Sequence, residues 1–249
     1  MGVPMSGPTD LTGRVAIVTG GARGIGQASC WSLAREGSTV AVCDVLPVTE
    51  TLGRLKKFGQ ASMGLRCDIQ RKGEVVKSVK RVAKEFGRVD ILIANAGIFE
   101  GKSIEEVDVQ DWDRMVEINL RGTFLFCQQV WPIMKRQGFG KIVCIGSSAG
   151  KTGGVLAGPH YAAAKGGIHA LVKWMAKNGA AHGILVNGIA PGPTVTPMTI
   201  NEPFSAEGIP VGRMGHPEDI AEAVVFLASQ ASNFVTGVVL DVNGGLYMA

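Results

Sequence analysis

No apolar run in this 249-residue chain approaches the ~18 residues that a membrane-crossing helix requires, so nothing is expected to span a bilayer. The opening residues, Met1-Gly-Val-Pro-Met-Ser-Gly-Pro8, lack the positive start and apolar stretch of a secretory signal. Paired cysteines are missing too. Cys30, Cys43, Cys67, Cys127 and Cys144 form no C-x-x-C motif, and three of them lie inside apolar runs, which points to reduced core residues of a cytoplasmic protein. The four histidines have no metal-ligand spacing, so no metal site is expected. Charge is thin, at 18% of residues, and Lys+Arg 25 against Asp+Glu 21 leaves a scattered +4 with no basic stripe for nucleic acid. No Pro/Ser-rich linker, composition shift or repeat divides the chain. It therefore reads as one domain, residues 10–249, behind a flexible arm over 1–9.

What the sequence does have is apolar material (46%) and glycine, 35 residues without a G-X-Y period, which suggests tight turns and close backbone approaches rather than a fibre. Short β-branched runs alternate with helical patterns. Val15–Thr19, Thr39–Cys43, Leu65–Cys67, Val89–Ala94, Lys141–Ile145, Ile184–Ile189 and Val238–Val242 are predicted strands. Helical spacing runs from the glycines after Thr19 to about Arg35, and then over 74–86, 111–137, 160–178 and 217–229. Such alternation predicts βαβ units. The expected fold class is α/β, a single doubly wound domain whose seven-stranded, mostly parallel sheet is covered on both faces.

The first strand runs into Thr19-Gly20-Gly21-Ala22-Arg23-Gly24-Ile25-Gly26. Glycines in a βα turn let backbone approach a pyrophosphate, and the helix beginning near Gly24 points its free N–H groups at the negative charge. Asp44, 24 residues after Gly20, ends the second strand. A carboxylate there can accept from both ribose hydroxyls and repels a 2′-phosphate, which favours NAD, while the cation of Arg23 keeps NADP open. Tyr161-Ala-Ala-Ala-Lys165 opens a helix, and residues i and i+4 share a face. An ammonium beside a phenol, whose free pKa is ~10, stabilises the phenolate and makes Tyr161 usable as acid or base. Ser147-Ser148 and Asn95-Ala96-Gly97 each follow a strand, where they face the crevice at the carboxyl ends of the sheet.

Taken with Asp68, Asn119 and Pro191-Gly192, this set resembles the short-chain dehydrogenase/reductase family over about residues 11–247, in the family's order and spacing. The resemblance implies a Rossmann-type domain with Tyr161 exchanging a proton with substrate, Lys165 lowering its pKa and holding the nicotinamide ribose, and Ser147 bonding the substrate oxygen. Asn119 would support a water beside Lys165. Asp68-Ile69 would lie by the adenine, and the Pro191–Thr196 segment, with Gly192 and Thr194, by the carboxamide. The pattern I-x-S-x-x-G selects Ser147, 14 residues before Tyr161, whereas Ser148 has the family's more usual spacing of 13. The stretch Thr152–Gly158 would border the substrate, and Met198–Ile209 would form a short lid stiffened by Pro203, with Pro197 and Pro210 beside it.

Among relatives the chain looks most like the 3-oxoacyl-carrier-protein reductases and the alcohol dehydrogenases resembling them. Their acidic carrier usually docks on basic residues of two long helices. Here only Lys135-Arg136, Lys173 and Lys177 offer charge, and His182 stands where those enzymes place an arginine. The expected reaction is NAD(H)-linked interconversion of a secondary alcohol and ketone, a small or cyclic alcohol or a hydroxyacyl thioester, in a catabolic role. NADPH-linked 3-oxoacyl reduction, an epimerase that uses NAD transiently, and a non-catalytic nucleotide binder are the alternatives. Apolar residues beyond the needs of one sheet face, among them Trp112, Phe124 and Trp174, together with the resemblance, imply a homo-oligomer, dimer or tetramer.

Overall fold

In the computed structural model, which describes residues 7–154 and 156–248, the predicted runs become seven strands. These are β1 (Val15–Thr19), β2 (Thr39–Asp44), β3 (Ser62–Arg66), β4 (Ile91–Ala94), β5 (Gly140–Ile145), β6 (Ile184–Pro191) and β7 (Val239–Val242). Their order is β3-β2-β1-β4-β5-β6-β7 and every neighbouring pair is parallel. The helices are α1 (Gly24–Arg35), α2 (Thr49–Leu55), α3 (Lys72–Phe86), α4 (Val109–Val116), α5 (Thr123–Gln137), α6 (Ala149–Thr152), α7 (Pro159–Gly179) and α8 (Pro217–Ala228).

Strand side chains alternate between two cores. Ile17, Ala41, Leu92, Ile142 and Val186 pack with Val79 of α3, Phe126 and Val130 of α5, and Ile168 and Val172 of α7. Val18, Val40, Ile91 and Val143 point the other way, onto Leu33 of α1 and Val224 and Leu227 of α8. Burial on both faces is why β1 reads as an unbroken apolar run instead of an alternating one. The sheet reverses direction of winding between β1 and β4, which opens a crevice above their carboxyl ends.

The structure differs from the sequence reading in three places. The predicted helix over 111–137 is interrupted by a wider π-helical turn, Glu117–Gly122, between α4 and α5. Helix α2 has no apolar periodicity to announce it. It is held instead by Thr51, whose hydroxyl donates to the Gly21 carbonyl at 2.8 Å, and by the Trp31 indole, which donates to the Thr51 carbonyl. Strand β3 is an edge strand and lies earlier than predicted, its residues mostly half-buried or exposed. Of the arm expected over 1–9, residues 1–6 lie outside the described residues. The Pro8 carbonyl accepts from Ala231 N–H, and the Thr9 hydroxyl donates to Glu36. No helix among the described residues is long and apolar enough to cross a membrane.

At the opposite end of the sheet from the crevice, a buried carboxylate fastens β1 to β4. Asp90 accepts from Val15 N–H at 3.0 Å and from two Arg88 nitrogens at 2.7 Å, with Arg14 adding a third cationic donor at 3.3 Å. Removing the acceptor strands those donors. Asp90→Ala is expected to cost ~3 kcal/mol in urea unfolding, whereas Asp90→Asn, which keeps one acceptor, should cost less. Equal stability of Asp90→Ala and the parent would refute this role.

Candidate active site

The glycine turn is shaped by contact with β4. The Asn95 amide donates to the carbonyls of Thr19 at 2.9 Å and Gly20 at 3.2 Å. The Thr19 hydroxyl in turn accepts from the N–H groups of Asn95 and Ala96. Gly20 has φ +67°, and a Cβ there would stand 2.8 Å from Ala96 Cα. A Cβ on Gly26 would stand 2.1 Å from the Gly20 carbonyl oxygen. Only glycine permits this approach. No side chain caps α1, so the N–H groups of its first turn remain available to an anion.

The groove above is lined by Gly20, Arg23, Gly24, Ile25, Asp44, Asp68, Ile69, Asn95, Ala96, Gly97 and Thr196, all of them sequence-predicted. It also takes in Val45, Leu46, Gln70, Ile98 and Ile118, which carried no signal of their own. Gly26 lies beneath the turn and does not line it. The Asp44 carboxylate accepts from Ala22 N–H and from Leu46 N–H, each at 2.9 Å and each on a different oxygen. One acceptor site therefore remains on each oxygen. The exposed Arg23 side chain makes no hydrogen bond or ion pair. Asp68 is paired with Arg71 at 3.2 Å, and Ile69 fills the space that a Cβ on Gly122 would claim. The turn, the uncapped helix and the strand-end carboxylate fit an adenine dinucleotide, for which α1 would hold the phosphates and Asp44 the ribose, with Asp68-Ile69 toward the adenine.

Next to this groove lies a second cavity of about 560 Å³, lined by Ser147, Ser148, Tyr161, Lys165, Pro191, Gly192, Thr194 and Thr196 among others. Pro159 occupies the first turn of α7 and places Tyr161 within that turn. One turn further on, the Lys165 ammonium donates to the Ile145 carbonyl at 2.9 Å and stands 5.7 Å from the Tyr161 ring centroid. Burial lowers the Lys165 pKa to about 8. The sequence suggests that Lys165 lowers the phenol pKa. In the structure, burial dominates and pushes Tyr161 above its usual value, and the Ser147 hydroxyl is the hydrogen-bonding group that pulls it back down. Of the two serines, Ser147 is the one whose hydroxyl acts on the proton affinity of the phenol. It also accepts from Ala149 N–H at 3.1 Å, while Ser148 donates its own N–H to the Pro191 carbonyl.

Asn119 lines neither cavity. Fully buried in the π-helical turn, it clamps the segment after β4: Oδ1 accepts from Ile98 N–H and Nδ2 donates to the Ile98 carbonyl, both at 3.0 Å. Gly97 runs so close that a Cβ there would stand 2.3 Å from Asn119 Oδ1 and 3.6 Å from Lys165 Nζ. The side-chain amides of Asn119 and Asn95 thus bond to the backbone of Ile98 and of Thr19 and Gly20. Thr194 bridges to Gly215, and the turn at Thr196–Thr199 closes over Gly24.

Several groups escaped the sequence reading. Phe99 stands edge-on to Tyr161, with centroids 5.0 Å apart, and Glu207 and Tyr247 also line the cavity. His169, four residues beyond Lys165, is wedged behind the catalytic turn, and a Cβ on Gly146 would stand 2.3 Å from its Nε2. Burial, with the nearby cations Lys151 and Lys165, lowers its pKa to about 4 and keeps it neutral. The helical spacing Tyr161, Lys165, His169 was the available signal. Of the stretch Thr152–Gly158, Thr152 closes α6, and Gly154, Leu156 and Ala157 border the cavity; Val155 lies outside the described residues.

Comparison with known proteins agrees with this geometry. A family model described as Enoyl-(Acyl carrier protein) reductase matches residues 20–247. The chain is 39% identical over 239 residues to cis-4-hydroxycyclohexanecarboxylate dehydrogenase of Sinomonas cyclohexanicum, covering 93% of this chain and 96% of that protein. It is 37% identical over 245 residues to the 3-oxoacyl-[acyl-carrier-protein] reductase FabG of Thermotoga maritima, covering 95% and 98%. A crystal structure from Agrobacterium tumefaciens, assigned as a 2-deoxy-D-gluconate 3-dehydrogenase and solved with bound NADP, superposes with a TM-score of 0.88 at 37% identity over 96% of this chain and 98% of that one. The protein belongs to the short-chain dehydrogenase/reductase family. It is an NAD(P)-dependent oxidoreductase acting on CH–OH groups.

The lysine has a measurable signature. Below about pH 8 Lys165 is an ammonium that favours phenolate over phenol. Its replacement by methionine removes that support over the range where the lysine is charged. In Lys165→Met, kcat/KM for alcohol oxidation should fall by about tenfold or more below pH 8 and by less above it, which changes the shape of the pH profile. An unmoved profile would remove Lys165 from the proton chemistry.

Proposed function

We propose that this protein is an NAD(H)-dependent dehydrogenase that oxidises a secondary alcohol to a ketone in a catabolic role, with Tyr161 as its acid/base. The observation that carries the reading is the Tyr161–Lys165–Ser147 group opening onto a cavity next to the Asp44 groove. Ser147 holds the substrate oxygen by a hydrogen bond, and the Tyr161 phenolate takes the hydroxyl proton. A nicotinamide held in the adjoining groove would supply the two-electron chemistry, as hydride acceptor in the oxidation direction. Lys165 holds positive charge beside the phenol while that proton is transferred, and in the reverse direction Tyr161 returns the proton to the carbonyl oxygen.

Asp44 supports NAD(H). Its two oxygens have acceptor capacity for both ribose hydroxyls, and its charge opposes a 2′-phosphate. A second reading, NADPH-linked reduction of a 3-oxoacyl group, draws on the unpaired Arg23 in the same groove and on the likeness to FabG. Asp44→Asn separates the two, because it deletes charge yet preserves an acceptor for a loop N–H. The NADP-to-NAD ratio of kcat/KM should rise about tenfold, which is ~1.4 kcal/mol of relieved repulsion, with Tyr161→Phe as the inactive control. A parent enzyme that already prefers NADP would overturn the assignment.

The reading includes a homo-oligomer. Trp112 on α4, Phe124 on α5 and Trp174 on α7 are 41%, 43% and 63% exposed, whereas Met115, Phe126 and Val130 of the same apolar stripes are core. Three large exposed side chains on adjoining helices suit burial against a second copy. Sedimentation of Trp174→Glu should give smaller species than the parent at equal concentration, and identical sedimentation would exclude this face.

A further inference from the structure

The cavity beside the glycine groove is mixed in its chemistry. Ser147 and Tyr161 supply polar groups, as do Thr152, Thr199 and Ser205. Its outer wall is a run of rings: Phe99 stands edge-on to Tyr161 at 5.0 Å and 75°, and Phe204 tilts against Phe99 at 5.7 Å and 54°. Phe204 belongs to the irregular segment 196–209, and Leu156, from the stretch after α6, adds aliphatic surface. Among the described residues that line this space, Lys165 and Glu207 are the only ones of the Asp, Glu, Lys and Arg types. Lys165 is 5% exposed and committed to the Ile145 carbonyl. Of the nearby cations, Lys102 pairs with Asp111, Lys151 with Asp241 and Arg213 with Asp219, and Arg23 lies in the adjoining glycine groove. Glu207 is exposed and, among the described residues, makes no side-chain hydrogen bond or ion pair, so its charge is uncompensated.

We propose that this cavity selects uncharged, ring-bearing secondary alcohols, with Phe99 and Phe204 receiving the ring and Glu207 turning away substrates that carry a carboxylate or phosphate. The inference rests on the dehydrogenase reading above and deepens it to a substrate class. Its physical content is simple. A ring gains by leaving water for the aromatic wall. An anion entering past Glu207 meets like charge in a space whose only cation is buried behind the phenol. A phosphate-bearing acyl carrier meets the same obstacle.

The test compares cyclohexanol, cis-4-hydroxycyclohexanecarboxylate, 2-butanol and 3-hydroxybutyryl-coenzyme A as substrates. Calorimetry reads, in parallel, the binding of cyclohexanone and of 4-oxocyclohexanecarboxylate to enzyme holding oxidised cofactor. The parent enzyme should favour cyclohexanol over its carboxylate by about tenfold or more in kcat/KM, with the same order in ketone binding. In Glu207→Gln the carboxylate-to-neutral ratio should rise about three- to fivefold, the range expected of a rim charge. In Phe204→Ala the cyclohexanol-to-2-butanol ratio should fall about tenfold through KM. Preference for the carboxylate or the thioester, or a Glu207→Gln ratio equal to that of the parent, would overturn the proposal. Absence of turnover with every alcohol and either cofactor would instead refute the dehydrogenase reading, and the calorimetric preference would then decide the charge selection by itself.

Discussion

The ammonium of Lys165 is almost wholly buried, and a buried cation is tolerated only where it finds an acceptor. Here the acceptor is the carbonyl of Ile145, the last residue of β5, so one hydrogen bond fastens α7 to the end of the strand from which Ser147 emerges. The rest of the site follows from that bond. With α7 fixed, Tyr161 sits one turn earlier at the crevice, and Ser147 meets the phenol because its own strand is the one that holds the lysine. Gly97 must be glycine because a Cβ there would run into Asn119 Oδ1, and Gly146 because His169 comes up behind the turn. Burial holds Tyr161 as the phenol and brings Lys165 near neutrality. The two shifts run in opposite directions, so the phenol holds its proton more firmly while the lysine releases its own more readily.

A second constraint governs the dinucleotide side, and it is made of backbone. The carboxyl ends of β1 and β4 are laced by Thr19 and Asn95, and the Gly20–Gly26 turn passes within a distance that no Cβ could share. Asp44 joins the same lacing through Ala22 N–H, so the carboxylate that would meet a ribose also holds the loop that would meet the phosphates. Thr51 of α2 supports the turn from outside through Gly21. Recognition and rigidity are supplied by the same residues, and the groove is preorganised as a result.

Where the determinants were local in sequence, the sequence displayed them. The strand runs, the glycine turn, the strand-end Asp44 and the i, i+4 relation of Tyr161 and Lys165 are short-range patterns, and each became the element it announced. Even the interrupted helix over 111–137 was continuous to the eye, because a π-helical turn adds a residue without breaking apolar spacing. What was hidden depended on partners far away in the chain. Helix α2 exists because Thr51 and Trp31 find acceptors across the fold, not because its seven residues favour a helix. The inward clamp of Asn119 on Ile98 spans 21 residues, and the contact of Phe99 with Phe204 joins two loops more than a hundred residues apart. No periodicity carries such information. The sign of the phenol shift was misjudged for a related reason: proximity to a cation can be read from spacing, but burial cannot.

The two halves of the crevice therefore encode different things in different materials. The half that fits the dinucleotide is built from main-chain approach and strand ends, which tolerate little variation without losing the fold. The alcohol-facing half beyond Ser147 and Tyr161 is built from side chains on irregular segments, Phe99 after β4, Leu156 after α6, and Phe204 and Glu207 between Thr196 and Ile209. Those segments hold no sheet together, so their side chains can change while β1, β4 and β5 stay in place. That asymmetry explains how a chain can share more than a third of its residues both with a dehydrogenase of a cyclic hydroxy acid and with a carrier-protein reductase. Identity of that kind reports the scaffold and the proton chemistry. The substrate is written in a handful of rings and one unpaired carboxylate that lie outside it.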